Sequence, residues 1–461
     1  MVVGAGAAGL TAGALLAHQG RSVVVVDRDD QIGGRAMVRA DEGFQLHLGG
    51  HHLEDPGSGI TSIFQVLGLQ LEHGPTSSDL LVFEPETKDW ATIRDRYSAD
   101  KAELKKLITT LVATPFEELD DWDDRTLREW LNMNTSDQGV KDLFEYLAVL
   151  ECLTEDWWDH SASENLFVRK MHYQERRTAG YSTWPVGGWN ALFGKLAKVI
   201  TDRGGQVRLN TAVETVLIER GEVAGVRLNR PDASVRNEVL EGEVIEASAV
   251  ICTVPVWEVL SVVPEHALPT WYARQIRHFA VDATRVTWAG LWLATTEPAP
   301  ISDRMELLTW RYGPNTGTSG FLYEYTSLDQ STAPPGYYLY SVGSVLPSER
   351  ARDSGYLQEH FRRFEADVSE MNPGLANAAW TRRHLVHDPS FGVRAQPTMV
   401  GRYRPHWQVP NIEGLLFASE SFRSRGIGID RAARAGLTAV ETYLGHRVAG
   451  LDETWRYGSV H

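Results

Sequence analysis

The apolar residues open in two close runs with a helical stretch between them. Val2-Val3 is the first run. Leu10, Ala14, Leu15 and Leu16 follow at helical spacing and stop at Gly20, and four valines at 23–26 end at Asp27. Strand, helix, strand is the start of a parallel βαβ unit. Only three residues precede Gly4, so the natural first strand is expected to be longer. Further on, the pattern predicts a short strand at 44–48, a short helix at 60–69, and a hairpin of 80–84 with 90–93 around Glu86-Thr87-Lys88-Asp89.

From Ser98 to about 160 the spacing is helical, with Ala102, Leu104, Leu107, Ile108 and Leu111 on one face and the same character at 126–131 and 140–150. Asp120-Asp121-Trp122-Asp123-Asp124 reads as a solvated acidic turn or helix cap. From Tyr181 the α/β pattern returns. A helix is predicted at 189–201, stopping at Gly204-Gly205, then strands at 206–209, 213–219 and 222–228, the last two joined by Arg220-Gly221. Strands at 243–247 and 249–254 follow. Residues 270–400 alternate strands (286–293, 305–312, 336–345) with a helix at 356–371. A buried strand at 415–418 and a long helix at 430–444 close the chain. No internal repeat is present. Nucleotide-type pieces at both ends and in the middle imply a discontinuous domain interrupted by insertions.

Composition narrows the function classes. The chain has 461 residues, 43% of them hydrophobic, and a net charge of −16, a surface expected to repel nucleic acid and anionic headgroups. The two cysteines, Cys152 and Cys252, make neither a disulfide framework nor a zinc site, so no metal is expected and a cytoplasmic setting is. No signal peptide is visible, and no apolar run reaches the ~18 residues that span a bilayer. Most of the 15 tryptophans are expected in the core or between domains.

The candidate chemistry starts in the first turn. Gly4, Gly6 and Gly9 form G-x-G-x-x-G between strand and helix, and Asp27 ends the next strand. In that context the motif is a dinucleotide fingerprint: Gly4 permits the turn, Gly6 lets backbone approach a pyrophosphate, Gly9 lets helix and strand close, and Asp27 accepts from a ribose.

Three further stations line up behind it: Gly33-Gly34-Arg35; Trp184-Pro185-Val186-Gly187-Gly188-Trp189 with the 213 strand after it; and Gly414-Leu415-Leu416-Phe417-Ala418-Ser419-Glu420, leading through Arg425-Gly426-Ile427-Gly428 into the last helix. Together they resemble the flavin-containing amine oxidase and phytoene desaturase superfamily, closer at the third station to the phytoene desaturase-related branch. The resemblance implies FAD, held non-covalently. It implies an α/β fold: a discontinuous Rossmann-like FAD-binding domain (1–70, 181–255 and 405–450), a mixed-sheet substrate domain (71–97 and 256–404) and a helical segment (98–180) over the substrate site. The implied cofactor residues are Gly4, Gly6, Gly9, Asp27, Arg28, Gly34, Arg35, Gly49, Gly50, Val213, Glu420, Gly428 and Ile429. Ser419 stands where the family usually has glycine. The start of the last helix is expected to face the flavin and favour its anionic reduced form. Arg425 is expected either near the ring or facing solvent.

An aromatic lining suits an apolar or aromatic substrate. Tyr173, Tyr181, Trp184 and Trp189 are the substrate candidates, with Trp157 and Trp158 behind them. His51 and His52 are the candidates for handling a proton. The expected reaction is dehydrogenation or desaturation of a mostly apolar small molecule by hydride transfer to flavin N5. Without a second G-x-G-x-x-G unit, the electrons are expected to leave to O2, a quinone or another acceptor. Three alternatives stay open: amine oxidation to an imine with hydrogen peroxide, disfavoured because Ser424-Arg425-Gly426-Ile427-Gly428 lacks an aromatic residue; redox-neutral double-bond isomerisation; and a non-catalytic binding or escort role. Oligomeric state and peripheral membrane contact are likewise open.

Overall fold

The computed structural model describes residues 1–50, 59–72, 74, 79–152, 159–175, 184–229, 242–299, 306–386 and 392–451. The opening runs enter a five-stranded parallel sheet. Its order is Leu415–Phe417, Val250–Cys252, Val2–Val3, Val24–Val26, Gln206–Arg208. Val2 sits opposite Ile251 on one side and Val25 on the other. Apart from the edge strand Gln206–Arg208, these strands are largely buried on both faces, which is why they read as unbroken apolar runs. Helices Ala7–His18, Gly188–Asp202 and Gly428–Leu444 pack beside the sheet, the first touching the other two.

A three-stranded antiparallel sheet, Val213–Glu219, Glu222–Leu228 and Val244–Glu246, flanks this layer. The turn Arg220-Gly221 has both residues at positive φ (54° and 87°), the twist a two-residue hairpin needs.

A mixed sheet makes the second body. Its order is Trp380–Val386, Arg285–Thr295, Tyr338–Pro347, Gly320–Glu324, Glu306–Trp310, Asp79–Glu84, Asp89–Thr92, with Gly392–Val393 pairing to the start of Arg285–Thr295. One face packs Ala289, Leu291 and Leu293 against Phe361, Phe364 and Val368 of helix Ser354–Met371. The opposite face carries Trp288, Trp292, Phe321 and Tyr323.

Between the second and third stations lies a helical insertion: Lys101–Ala113, Leu127–Asn134, Gln138–Cys152 and Ala162–Glu175. Asp100 caps the first, accepting from Ala102 and Glu103, and Thr126 with Glu129 forms a capping box on the second. The acidic connector departs from expectation. Asp123 is fully buried, its carboxylate turned inward onto Arg425, so the stretch is an anchor and not simply a solvated turn. Helix Thr270–Phe279 and strand Gly320–Glu324 were not foreseen. The strand is buried on both faces and so lacks the alternation that marks a half-exposed one.

Candidate functional site

The first strand turns into its helix through glycines with separate tasks. A Cβ on Gly9 would overlap the carbonyl oxygen of Gly4, so only glycine lets helix and strand close here. Gly6, the N-cap, is different: a Cβ there would come no closer than 3.8 Å to any protein atom. Nothing in the fold requires a glycine at 6, and the open space leaves room for a group outside the protein to approach the backbone. No side chain caps this helix and no acid stands in its first turn. Its leading N–H groups therefore present an uncompensated positive end, suited to phosphate.

The second station closes the cradle. Gly33 N–H donates to the Ala5 carbonyl at 2.9 Å, and the Gly33-Gly34 turn lies against Gly6. Asp27 accepts from Ala5 N–H at 2.5 Å and Asp29 N–H at 2.9 Å. Burial raises its carboxyl above the ordinary value, although both amides oppose this. The Asp27 carbonyl takes Thr211 N–H at 2.6 Å, which draws the approach to Val213 beside the acid. Arg28 is largely exposed and pairs with Glu258 at 2.9 Å.

Arg35 pairs with Glu420 at 2.8 Å, across 385 residues of sequence. Glu420 is buried, takes the Ser421 hydroxyl at 2.7 Å, and lies 3.9 Å from the fully buried Arg404. Burial opposes its charge, yet Arg35 and Arg404 hold it below the usual carboxylate range. Ser419 fits without strain: its φ is not positive and its hydroxyl accepts from Ser421 N–H at 3.3 Å.

Gly50, Trp189 and Ile429 meet at one point. A Cβ on Gly50 would come 2.8 Å from Ile429 Cδ1 and 2.9 Å from Trp189 Nε1, and the Trp189 indole donates to the Gly50 carbonyl. Gly49 packs more tightly still against the Arg35 carbonyl. Trp189 begins a chain of buried rings. Trp184 is 6.0 Å away, Tyr325 is 4.7 Å beyond it, and Trp292 of the mixed sheet stacks on Tyr325 at 5.7 Å. The third station therefore joins the glycine cradle to the inner face of the sheet. His47 sits among these rings, 4.5 Å from Trp184, and burial pushes its imidazole down to about 3. Sequence reading assigned His47 a place in a short strand and no role of its own.

Tyr173 lies near the end of helix Ala162–Glu175, its ring 5.7 Å from His172. His51, His52, Tyr181, Trp157 and Trp158 lie outside the described residues. A separate cavity of about 640 Å³, lined by Val82, Tyr97, Gln138, Asp142 and Arg311 among others, shares no residue with the cradle.

The last helix starts at Gly428 behind the N-cap Ile427, again without a side-chain cap, and a Cβ on Gly428 would meet open space. Arg425 does not face solvent. It is buried against Asp120 and Asp123, 2.6 Å from the latter. Burial works against its charge, but these carboxylates with Glu164 hold the guanidinium firmly protonated. Sequence reading missed Asp123, Glu164 and Arg431, whose partners lie hundreds of residues away.

Residues 7–443 match the family model for flavin containing amine oxidoreductases. The chain belongs to this family. It is 23% identical to a phytoene desaturase (neurosporene-forming) of Cereibacter sphaeroides over 98% of this chain and 92% of that one. An oxidoreductase from Methanosarcina mazei shares the fold at TM-score 0.73 with 19% identity, covering 96% of this chain and 99% of that one. A putrescine oxidase solved with putrescine shares it at TM-score 0.67 and 16% identity, over 96% and 98%. As a member of this family, the protein is an FAD-dependent oxidoreductase. The open backbone at Gly6, the N-cap of one uncapped helix, and at Gly428, the first residue of another with φ 50°, fits such a cofactor. Among the described residues no helix is long and apolar enough to cross a membrane.

Proposed function

We propose that this oxidoreductase dehydrogenates or desaturates a mostly apolar small molecule. The carrying observation is the sheet face to which the ring chain leads. Trp292 shares that face with Trp288, Phe321, Tyr323, Leu307 and Thr309, all uncharged, while Glu84, farther along the same face, is paired with Arg96. A cationic amine would enter this surface unpaired, whereas an apolar or unsaturated carbon skeleton packs on it without loss. The relative named a phytoene desaturase agrees with this choice. Bound FAD supplies the electron sink, taking a hydride at N5.

The chain's own residues hold and orient. Gly4, Gly6, Gly9, Gly34 and Arg35 form the phosphate cradle, Asp27 accepts from the ribose, and Val213 meets the adenine through its backbone. Arg28 flanks the cradle, and Glu420 keeps Arg35 in place. Gly49, Gly50, Gly428 and Ile429 shape the ring's seat. The N–H groups at the start of the last helix favour negative charge placed against them, an effect of roughly 0.3–2 kcal/mol. Trp184 and Trp189 wall the site, with Tyr173 and Tyr181 as the further substrate candidates. His51 and His52 are the groups to hold or move a proton. Attachment is non-covalent: the Cys252 thiol is buried within the parallel sheet and pushed up to about 12.

The test is anaerobic photometry of the FAD-loaded protein against polyenes, cyclic alkenes and amines. Bleaching by an unsaturated hydrocarbon supports the proposal. Bleaching by amines alone overturns it, and double-bond rearrangement without bleaching turns it into an isomerase. Reoxidation with O2 or a quinone then identifies the acceptor.

A further inference from the structure

Behind the start of the last helix lies a set of buried charges that the proposed chemistry does not use. Glu164, on helix Ala162–Glu175, accepts the Gly426 N–H at 3.0 Å, pairs with Arg431 in the helix's first turns, and lies 3.6 Å from Arg425. Asp123 holds Arg425 at 2.6 Å, the Ser163 hydroxyl at 2.6 Å and the Arg402 N–H at 3.0 Å. Glu164 and Asp123 are each no more than 1% exposed. Two stretches of the helical insertion thus grip one loop, and they grip its main chain as well as its side chains.

Such a cluster is a poor way to add stability, because well-packed apolar residues serve as well. Arg431 also stands at the end of the helix that repels cations, a placement Glu164 offsets. What the arrangement does supply is a fixed position for Gly426 and therefore for Gly428.

We infer that Glu164 is a positioning residue for the cofactor: from the helical insertion it fixes the loop Gly426–Gly428, so that docking of the insertion and readiness of the last helix's start are one equilibrium. The inference rests on the reading that this helix start meets FAD. Linkage then runs both ways. Loading FAD tightens the insertion, and loosening the insertion releases FAD. The segment that covers substrate is consequently firm when the cofactor is in place.

Hydrogen exchange on the wild-type protein, stripped of FAD and then reloaded, tests this directly. Loading is expected to slow exchange about tenfold in residues 120–124 and in helix Ala162–Glu175, within the usual range of such couplings, and to leave helix Ser354–Met371 unchanged. The paired variant Glu164→Gln with Arg431→Gln leaves no buried charge without its counterpart. It is expected to weaken FAD about tenfold, to move the flavin midpoint potential, and to abolish the exchange response of the insertion. Uptake of FAD by the wild type with no change in the insertion overturns the inference while sparing the reading beneath it. A wild-type chain that takes up no FAD overturns both. The wild-type exchange result decides the matter even if the paired variant fails to fold.

Discussion

On the proposed reading two helix starts meet the same cofactor, and they are built in opposite ways. Ala7–His18 has no charged side chain before its last residue, and glycines only five positions apart, Gly4 and Gly9, set its place against the sheet. Gly428–Leu444 carries Asp430, Arg431 and Arg434 early, and carboxylates 262 and 302 residues distant in sequence hold the loop before it. A phosphate needs only a bare dipole and room for the backbone, which a short motif can provide. On the proposed reading a flavin edge is met by an element from the far end of the chain, and the loop before that element is held by tertiary charges. The first start is therefore self-contained, and the second depends on the insertion.

The sharpest break in this comparison is Gly9→Ala. The new Cβ collides with backbone that cannot move independently, and a loss of about 5 kcal/mol or more is expected in denaturant unfolding. Arg425→Met comes next. It leaves Asp123 buried without its cation, at a cost of about 3–5 kcal/mol by the same measurement. Gly6→Ala should separate cofactor from fold: unfolding free energy stays within about 1 kcal/mol, while FAD binding by titration weakens at least tenfold, about 1.4 kcal/mol. If Gly6→Ala unfolds the protein instead, the glycine serves the chain and not a ligand.

Acid is expected to give the smallest effect, and mainly at the second start. Burial opposes the charge of Glu164, but Arg431 and Arg425 hold its carboxyl below the ordinary value. A depressed folded pKa means the unfolded chain takes up the proton first. The stability from this group is present above the unfolded value of about 4.3 and is lost as pH falls through the folded one. Thermal melts between pH 6 and 3 should show Glu164→Gln with a flatter decline than wild type over the acid end of that range. A parallel decline would mean the carboxylate is not held by its arginines.

Legibility in the sequence followed the same divide. The hairpin at Arg220-Gly221, the parallel strands and the glycine cradle were readable because their causes lie within a few residues. Asp120–Asp124 was read as at least partly solvated because five acidic and aromatic residues in a row carry no sign of a guanidinium three hundred positions on. Arg425 escaped for the same reason. His47 and the rings around it were invisible as a group, since Trp184, Tyr325 and Trp292 come together only when the mixed sheet docks on the parallel one.

A diffraction structure of the protein crystallised with FAD tests the central claim most directly. The account predicts one FAD per chain, its pyrophosphate on the N–H groups that follow Gly6 and its ring edge at the start of the helix from Gly428. A ring seated away from Gly428, or a nicotinamide dinucleotide in the cradle, would contradict it.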